Sequence, residues 1–176
     1  MEKKTALLIV DVQIGMFTQP DYSLYHAEEL LDTLERLIKK ARNANIPIIF
    51  IQHIGESGSE LDPLKNSFKV HPRIAPLSGD YEISKTRANS FHKTNLKQTL
   101  DELGIHQLII GGIQTEQCVD TTCRCASDLG YNIILVEDGH STFDSPILKA
   151  TDIIKHHNFL LASWAAVIKP EKEIEF

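Results

Sequence analysis

Apolar and polar residues follow two different periods along the 176-residue chain. Continuous apolar runs, of which Ala6-Leu7-Leu8-Ile9-Val10 is the clearest, are typical of strands buried on both faces of a sheet. Between His26 and Asn45 the apolar residues recur at helical spacing and predict a helix. The same two patterns predict further strands at 46–54, 82–84, 107–110, 132–136 and 159–162, and further helices at 94–103, 117–129 and 145–157. This alternation predicts an α/β protein with a three-layer α/β/α, Rossmann-like fold around a central, mostly parallel sheet.

No repeat or linker divides the chain, so residues 1–176 are predicted to form a single domain. The stretch from Gly55 to Asp80 is rich in glycine, proline and polar residues and is expected to be a long surface loop that covers a site. The charged segment from Lys169 to Phe176 is expected at the periphery, and Arg124 and Asp128 are expected to form a surface pair one helical turn apart.

Composition narrows the classes of partner. The chain has 42% apolar and 24% charged residues and a net charge of −6, which argues against binding to nucleic acid or to an anionic membrane. No apolar run is long enough to cross a bilayer, and Met1-Glu2-Lys3-Lys4 leads directly into the first strand, so no signal peptide is expected. Three cysteines between positions 118 and 125 do not suggest a disulfide framework. These features predict a cytoplasmic protein whose cysteines are reduced.

In open parallel sheets, ligands bind beyond the carboxyl ends of the strands. The residues just after the apolar runs are Asp11, Gln52 with His53, Lys85 with Arg87, the turn from Gln114 to Cys118, and Glu137, Asp138 and His140. A carboxylate, an amine and a thiol are therefore expected to converge at one edge, where an acid can take the proton of a thiol and a lysine can stabilise both. Alternatively, Asp11 is a turn residue and Lys85 a solvated surface charge.

Cys118 follows a Gly111-Gly112 turn and is predicted to lie in the first turn of a helix. Free backbone N–H groups and the helix dipole favour a thiolate there and can also receive an oxyanion. The position therefore suggests a nucleophile. The alternative is a small buried core residue, and that interpretation is the one we give to Cys123 and Cys125.

Three ordered segments of the chain resemble the signature segments of the isochorismatase-like cysteine hydrolases. They are Leu8-Ile9-Val10-Asp11-Val12-Gln13, Ser84-Lys85 and Gly112-Ile113-Gln114-Thr115-Glu116-Gln117-Cys118-Val119. The resemblance implies that Cys118 is the nucleophile, Asp11 the general base and Lys85 the charge-stabilising residue. It also implies a cis peptide between Ile113 and Gln114, with the backbone N–H groups of Gln114 and Cys118 as the oxyanion hole.

The activity implied by this resemblance is hydrolysis of a C–N bond, of amide or lactam type, in a small molecule through a thioester. The nicotinamidase branch of the family has an Asp-x-His metal pair after the second strand, where this chain has Phe50-Ile51-Gln52-His53, so no metal or other cofactor is expected. Two histidines across a flexible loop, His53 and His71, are weak evidence for a metal. The predicted substrate pocket consists of Gln13, Phe17, His53 and Phe91, although both phenylalanines could simply fill the core.

Other functions remain open at this point. Isochorismatases proper hydrolyse a vinyl ether and often lack the cysteine, so that reaction is one alternative. A redox or persulfide-handling thiol protein and a non-catalytic protein on the same fold are the others. The resemblance also implies a homo-oligomer, a dimer or larger, in which a neighbouring subunit could complete the Gly55 to Asp80 loop.

Overall fold

The computed structural model describes residues 4–19 and 22–176, and within them six parallel strands form one sheet between two layers of helices. Residues 1–3, on which the expectation of no signal peptide partly rests, lie outside the described residues. The strands are β1 (Thr5–Val10), β2 (Ile48–His53), β3 (Tyr81–Lys85), β4 (Gln107–Ile113), β5 (Asn132–Ser141) and β6 (Val167–Lys169). The helices are α1 (Ile14–Phe17), α2 (Ala27–Asn43), α3 (Leu96–Leu103), α4 (Asp120–Asp128) and α5 (Ala150–Ala162).

The strand order is β3-β2-β1-β4-β5-β6, and every pairing is parallel. The predicted fold class is therefore confirmed. The chain runs outward from β1 in one direction through β2 and β3, and then returns to β4 on the other side of β1. Because the direction reverses between β1 and β4, their carboxyl ends border the crevice in which such sheets bind ligands.

Successive residues of the central strands face opposite layers. On β1, Ala6, Leu8 and Val10 pack in the cluster that contains residues of α3, α4 and α5, while Leu7 and Ile9 pack in the cluster formed by α2. The buried stripe of α2 consists of Leu30, Leu31, Thr33, Leu34, Leu37, Ile38 and Ala41. A fully buried leucine or isoleucine contributes about 1.5–3 kcal/mol, so this stripe fixes the helix on the sheet. The predicted helix between His26 and Asn45 is confirmed.

Two glycines of β4 lie where the neighbouring backbone leaves no room for a side chain. Gly112 has φ 141°, and a Cβ placed on it would lie 2.1 Å from the carbonyl oxygen of Val10. A Cβ on Gly111 would meet the carbonyl oxygen of Gly139 at 2.6 Å. No other residue type fits Gly112 without moving backbone. Because Val10 of β1 pairs with Gly112 of β4 in parallel register, the residues that follow the two strands lie next to one another.

The prediction of a last strand at 159–162 is wrong. Those residues complete α5, and the last strand is β6 at Val167–Lys169. Within the short apolar run, Leu161 is buried while Phe159 is 77% exposed, a one-sided pattern that belongs to a helix at the surface. A short apolar run does not separate the two types of element by itself. The helix predicted from residue 145 begins only at Ala150, because Ser145 instead closes a turn with the backbone N–H of Leu148.

The C-terminal segment is not peripheral as predicted. Glu171 and Ile174 are buried, and Ile174 belongs to the core cluster of α2. The Glu171 carboxylate binds Arg36 Nε at 2.9 Å and Lys40 Nζ at 2.7 Å, which fastens the end of the described chain to α2.

The predicted pair of Arg124 with Asp128 is also wrong. Arg124 binds Asp120, one turn earlier in α4, through its Nε at 2.7 Å, and its guanidinium stacks on Trp164. Across the described ranges, no helix is both long enough and apolar enough to cross a bilayer.

Candidate active site

The candidate site lies where β1, β3 and β4 end. Asp11 directly follows β1 with φ 52°, in the left-handed region, and Lys85 is the last residue of β3. Cys118 lies in a π-helical turn, Thr115–Val119, between β4 and α4. Lys85 is two strands away from β1, a separation of roughly 10 Å at ordinary strand spacing. Only a side chain as long as lysine can cross the end of β2 and reach Asp11.

The Lys85 amine joins the three residues. Its Nζ lies 2.6 Å from Asp11 Oδ2, 3.0 Å from Cys118 Sγ and 3.5 Å from His53 Nδ1. An ammonium has three N–H donors and no acceptor, so these three neighbours take all of them. His53 Nδ1 must then be the unprotonated nitrogen of its ring. The structure thus brings Asp11, Lys85 and Cys118 into direct contact and adds His53 to them.

Burial controls the protonation of these groups. Burial raises the pKa of Asp11 above its ordinary value, and the neighbouring Lys85 offsets part of that rise. Burial, followed by the charge of Asp11, raises the pKa of the Cys118 thiol to about 12, against the opposing effect of Lys85. Burial and then Lys85 lower the pKa of His53. Contrary to the thiolate expected from the sequence, the resting site favours the thiol, because desolvation and the charge of Asp11 outweigh Lys85.

The second oxygen of Asp11 is available. Asp11 is 2% exposed, and its Oδ1 has no hydrogen-bond partner among the described residues. An unpaired acceptor is costly in such a place, and it is common where a proton or a substrate is to be received. Asp11 and Cys118 offer ligand atoms within 4.8 Å of one another. One carboxylate oxygen is thus held by Lys85 while the other is free to accept a proton from nearby.

The turn that carries Cys118 is closed by its own backbone. The peptide bond between Ile113 and Gln114 is cis. The carbonyl oxygen of Gln114 accepts hydrogen bonds from the N–H groups of Gln117, at 3.2 Å, and Val119, at 3.1 Å. These two hydrogen bonds close the turn on the carbonyl oxygen of Gln114. The backbone of Gln114 and the thiol of Cys118 therefore belong to the same hydrogen-bonded turn.

The four residues predicted to line a pocket have different positions. His53 is half-buried beside Lys85. Gln13 is fully buried and presents no surface to a substrate. Its Oε1 accepts from the backbone N–H of His53 at 2.8 Å, and its Nε2 donates to the carbonyl oxygen of Phe68 at 2.7 Å. Gln13 thus fastens the loop between β2 and β3 to the end of β2, a role that no signal in the sequence indicated.

The two phenylalanines pack against other side chains. The ring of Phe17 lies 4.7 Å from the ring of His71, centroid to centroid, and contacts the core cluster of α2. Phe91 stacks at 6.0 Å on Tyr131, which precedes β5 at the amino end of the sheet. Because the candidate site is at the carboxyl end, Phe91 fits the packing alternative.

Asp11, His53 and Cys118 are residue types that can hold a metal, and their ligand atoms lie within 4.8 Å of one another. The Lys85 ammonium already contacts a ligand atom of each at 2.6–3.5 Å. A metal cation bound by all three would face that positive charge at close range. These residues therefore do not fit a resident metal, and His71 instead accepts from the N–H of Arg73 through its Nδ1.

Comparison with known proteins gives consistent matches. The family model described as the isochorismatase domain matches residues 5–155. Streptothricin hydrolase from Streptomyces noursei is 32% identical over 141 residues, 80% of this chain and 51% of that protein, so the chain spans about half its length. The uncharacterized isochorismatase family protein YddQ of Bacillus subtilis (strain 168) is 30% identical over 90% of each chain. The crystal structure of an isochorismatase from Pseudomonas putida KT2440 has a TM-score of 0.91 and 31% identity, covering 97% of this chain and 90% of that one.

Proposed function

The chain belongs to the isochorismatase family of hydrolases, and from this premise we propose that it hydrolyses a C–N bond, of amide or lactam type, in a small molecule through a thioester on Cys118. The observation that carries the proposal is the bridging ammonium of Lys85, which binds Asp11 and Cys118 while leaving the other Asp11 oxygen unpaired. A redox or persulfide-handling thiol needs neither the carboxylate nor the lysine.

The raised pKa values support a first step in which proton transfer and attack occur together. Burial and the charge of Asp11 hold Cys118 as a protonated thiol at pH 7, because they raise its pKa to about 12. The proton must therefore leave while the sulfur attacks, and Asp11 is the acceptor within reach. Burial raises the pKa of Asp11, which makes it a stronger base than an exposed carboxylate.

The proposed reaction has two stages, acylation of Cys118 and hydrolysis of the thioester. Asp11 accepts the thiol proton as Cys118 Sγ bonds to the carbonyl carbon, and the backbone N–H groups of Gln114 and Cys118 receive the oxyanion. One such donor lowers the barrier by about 3–4 kcal/mol. The C–N bond then breaks and the amine takes the proton from Asp11. Asp11 next accepts a proton from water as that water attacks the thioester. The C–S bond then breaks to release the acid, and Asp11 returns the proton to the sulfur, which restores the thiol and the carboxylate. Lys85 holds the Asp11 carboxylate in place throughout.

The substrate class is supported by the names of relatives. They include a streptothricin hydrolase and a ureidoacrylate amidohydrolase from Variovorax paradoxus. An amidohydrolase acts on the kind of bond that a cysteine, a base and an oxyanion hole cleave. Of the predicted pocket residues, His53 is the one that we propose to contact the substrate, because it is half-exposed at the Lys85 contact.

The proposed function is tested with a panel of amides: nicotinamide, small ureides and lactam-type antibiotics, together with a vinyl ether, each assayed for ammonia or acid release. We expect turnover of at least one amide, equal with and without a chelator. Cys118→Ala and Asp11→Asn should each abolish turnover while the circular dichroism spectrum is unchanged. Cys125→Ala is the matched control, since Cys125 is a half-buried thiol seven residues further on, and it should retain full activity. Full turnover by Cys118→Ala would refute the mechanism, and cleavage of the vinyl ether alone would establish the alternative reaction.

We also propose that the protein acts as one domain over residues 1–176, as a homo-oligomer and in the cytoplasm. Large apolar side chains that are exposed in the single chain, such as Ile147 and Phe159, are consistent with subunit contacts. Light scattering coupled to size-exclusion chromatography measures the assembly directly, and a monomeric mass at micromolar concentration would refute that part of the proposal.

A further inference from the structure

A chain of three polar side chains connects the cysteine turn to α5. Thr115 Oγ1 lies 2.8 Å from His140 Nδ1, and His140 Nε2 lies 2.8 Å from Asn158 Oδ1. Thr115 is 1% exposed and His140 is 4% exposed, so this chain crosses the interior. The mechanism above uses none of the three residues. Buried polar groups that are fully paired hold their neighbours in one arrangement.

The hydrogen bonds can run in only one direction. Asn158 Nδ2 donates to the carbonyl oxygen of Glu137 at 3.4 Å, which leaves Asn158 Oδ1 as the acceptor toward His140. His140 Nε2 must therefore carry the hydrogen. Burial lowers the pKa of His140 to about 4, so its ring is neutral and its Nδ1 accepts. The hydroxyl of Thr115 is thereby fixed as a donor to His140.

A bulge in β5 brings His140 to this position. Ile110 of β4 lies opposite Leu135 of β5, and Gly112 lies opposite His140. Between these two pairs β4 advances by two residues and β5 by five. The three additional residues of β5 are taken up in the bulge that ends at Gly139. Such bulges re-aim a side chain at the edge of a sheet. Here the bulge places an imidazole beside the turn that begins after Ile113.

We propose that His140 and Asn158 are positioning residues that hold Thr115, and through it the backbone of the turn that carries Gln114 and Cys118. The inference rests on the proposed function, since it assigns these residues to the machinery of Cys118. Thr115 is covalently bonded to Gln114, whose N–H is one of the two proposed oxyanion donors. A rotation of Thr115 therefore moves that donor relative to the sulfur, and a displacement of about 1 Å can cost roughly 100-fold in rate.

The charged and titratable groups near His140 matter for a test that uses pH. Asp138 on the same strand raises the pKa of His140 and His157 on α5 lowers it. A cavity of about 290 Å³ borders His140 and Asp138, and its other titratable lining residues are Tyr25, His26, Glu29 and Glu137. A carboxylate in place of the Asn158 amide would accept from Nε2 as an ion pair and would favour the charged imidazole. Charged His140 would donate from Nδ1 and so reverse the bond with Thr115.

The test measures the rate at which iodoacetamide alkylates Cys118, by peptide mass spectrometry, with Cys125 of the same protein as the internal reference. Thr115→Val removes the hydroxyl at constant shape and should change the relative rate at Cys118 by roughly tenfold, whereas Thr115→Ser should remain within about twofold of the parent protein. Asn158→Asp should add an ionisation to the rate profile between about pH 5 and pH 8 that the parent protein lacks. Asn158 is half-exposed, so this second variant decides the matter if Thr115→Val does not fold.

Two results overturn the inference: a Thr115→Val rate within about twofold of the parent protein, or an Asn158→Asp profile that superimposes on the parent profile. The readout needs no substrate, so it also separates this inference from the proposed function. If the parent protein cleaves no amide, the proposed function fails, and the alkylation rates still decide whether His140 positions the turn. With an active substrate, Thr115→Val should lower kcat roughly 10- to 100-fold and leave KM within about threefold.

Discussion

Lys85 is the residue whose replacement should change both stability and activity most. Its side chain is fully buried, and its Nζ supplies the hydrogen bond at 2.6 Å that the Asp11 carboxylate receives. In Lys85→Met, a side chain of similar volume fills the same space without the charge. Asp11 is then left as a buried carboxylate without the ion pair that Lys85 provides. Removing one member of a buried ion pair typically lowers the free energy of unfolding by about 3–5 kcal/mol.

The double variant Asp11→Asn/Lys85→Met separates the lost charge pair from lost packing. Asparagine tolerates the left-handed backbone at position 11, where φ is 52°, better than most residues do. With no charge left in the site, the remaining cost is that of a partly paired buried amide, about 1–3 kcal/mol. We therefore expect the double variant to be more stable than Lys85→Met although it carries one more substitution.

The dependence on pH has a definite sign. Burial raises the pKa of Asp11 in the folded protein above its ordinary 3.8, and Lys85 counteracts this, so Lys85→Met raises that pKa further. When folding raises the pKa of a carboxyl group, the group's contribution to stability is fully present below its pKa in the unfolded chain. That contribution is lost as the pH rises through the pKa in the folded protein. The deficit of Lys85→Met should thus be small near pH 4 and grow toward neutral pH, by about 1.4 kcal/mol for each unit of additional pKa shift.

Urea unfolding followed by fluorescence measures this deficit, because Trp164 is the only tryptophan in the sequence and lies half-exposed after α5. Profiles from pH 4.5 to pH 8 are compared for the parent protein, the single variant and the double variant. Lys97→Met is the matched control, since Lys97 is an exposed lysine in a helical pair with Asp101. The reasoning is refuted if Lys85→Met unfolds within about 1 kcal/mol of the parent protein at pH 8, or if its deficit is independent of pH.

Three further predictions concern other parts of the molecule. Gly112→Ala should lower the free energy of unfolding by more than about 3 kcal/mol, because its Cβ would collide with the carbonyl oxygen of Val10. Gly130→Ala serves as the control. Gly130 also has positive φ but meets open space, so this substitution should cost about 1 kcal/mol. Gln13→Leu removes the side-chain amide that pairs with the N–H of His53 and the carbonyl oxygen of Phe68. Limited proteolysis should therefore cut the loop between β2 and β3 faster, and hydrolysis of the substrate should slow. An unchanged digestion pattern would contradict the assigned role. Burial alone would raise the pKa of the Glu171 carboxyl, but its ion pairs with Lys40 and Arg36 hold that pKa below the ordinary 4.5. The stability that Glu171 adds is therefore present above pH 4.5 and is lost as the pH falls through the folded pKa. The urea midpoint of Glu171→Gln should accordingly lie below that of the parent protein at pH 7 and approach it at pH 4, and a constant difference would argue against the ion pair.

The sequence by itself determined the layered fold and the edge at which the site lies. Buried parallel strands are recognisable because both of their faces are covered, and α2 is recognisable because one stripe of it is apolar. Parallel strands end at the same edge of a sheet, so Asp11, Lys85 and Cys118 could be placed together before any coordinates were known. Their contacts in the structure agree with that placement, and their catalytic roles stay a proposal.

Tertiary structure decided what depends on neighbours distant in the chain. The segment from Phe159 to Ala162 became a helix because only one of its faces meets the core. In the charged C-terminal segment Glu171 became buried because Arg36 and Lys40 receive its carboxylate. The protonation of Cys118 could not be predicted from a helix start, since its pKa depends on desolvation by the surrounding fold. The hydrophobic pattern of a segment predicts which of its side chains face the core. The charge state and the pairing of a side chain depend instead on groups distant in the sequence, and only the folded structure shows which of those groups lie beside it.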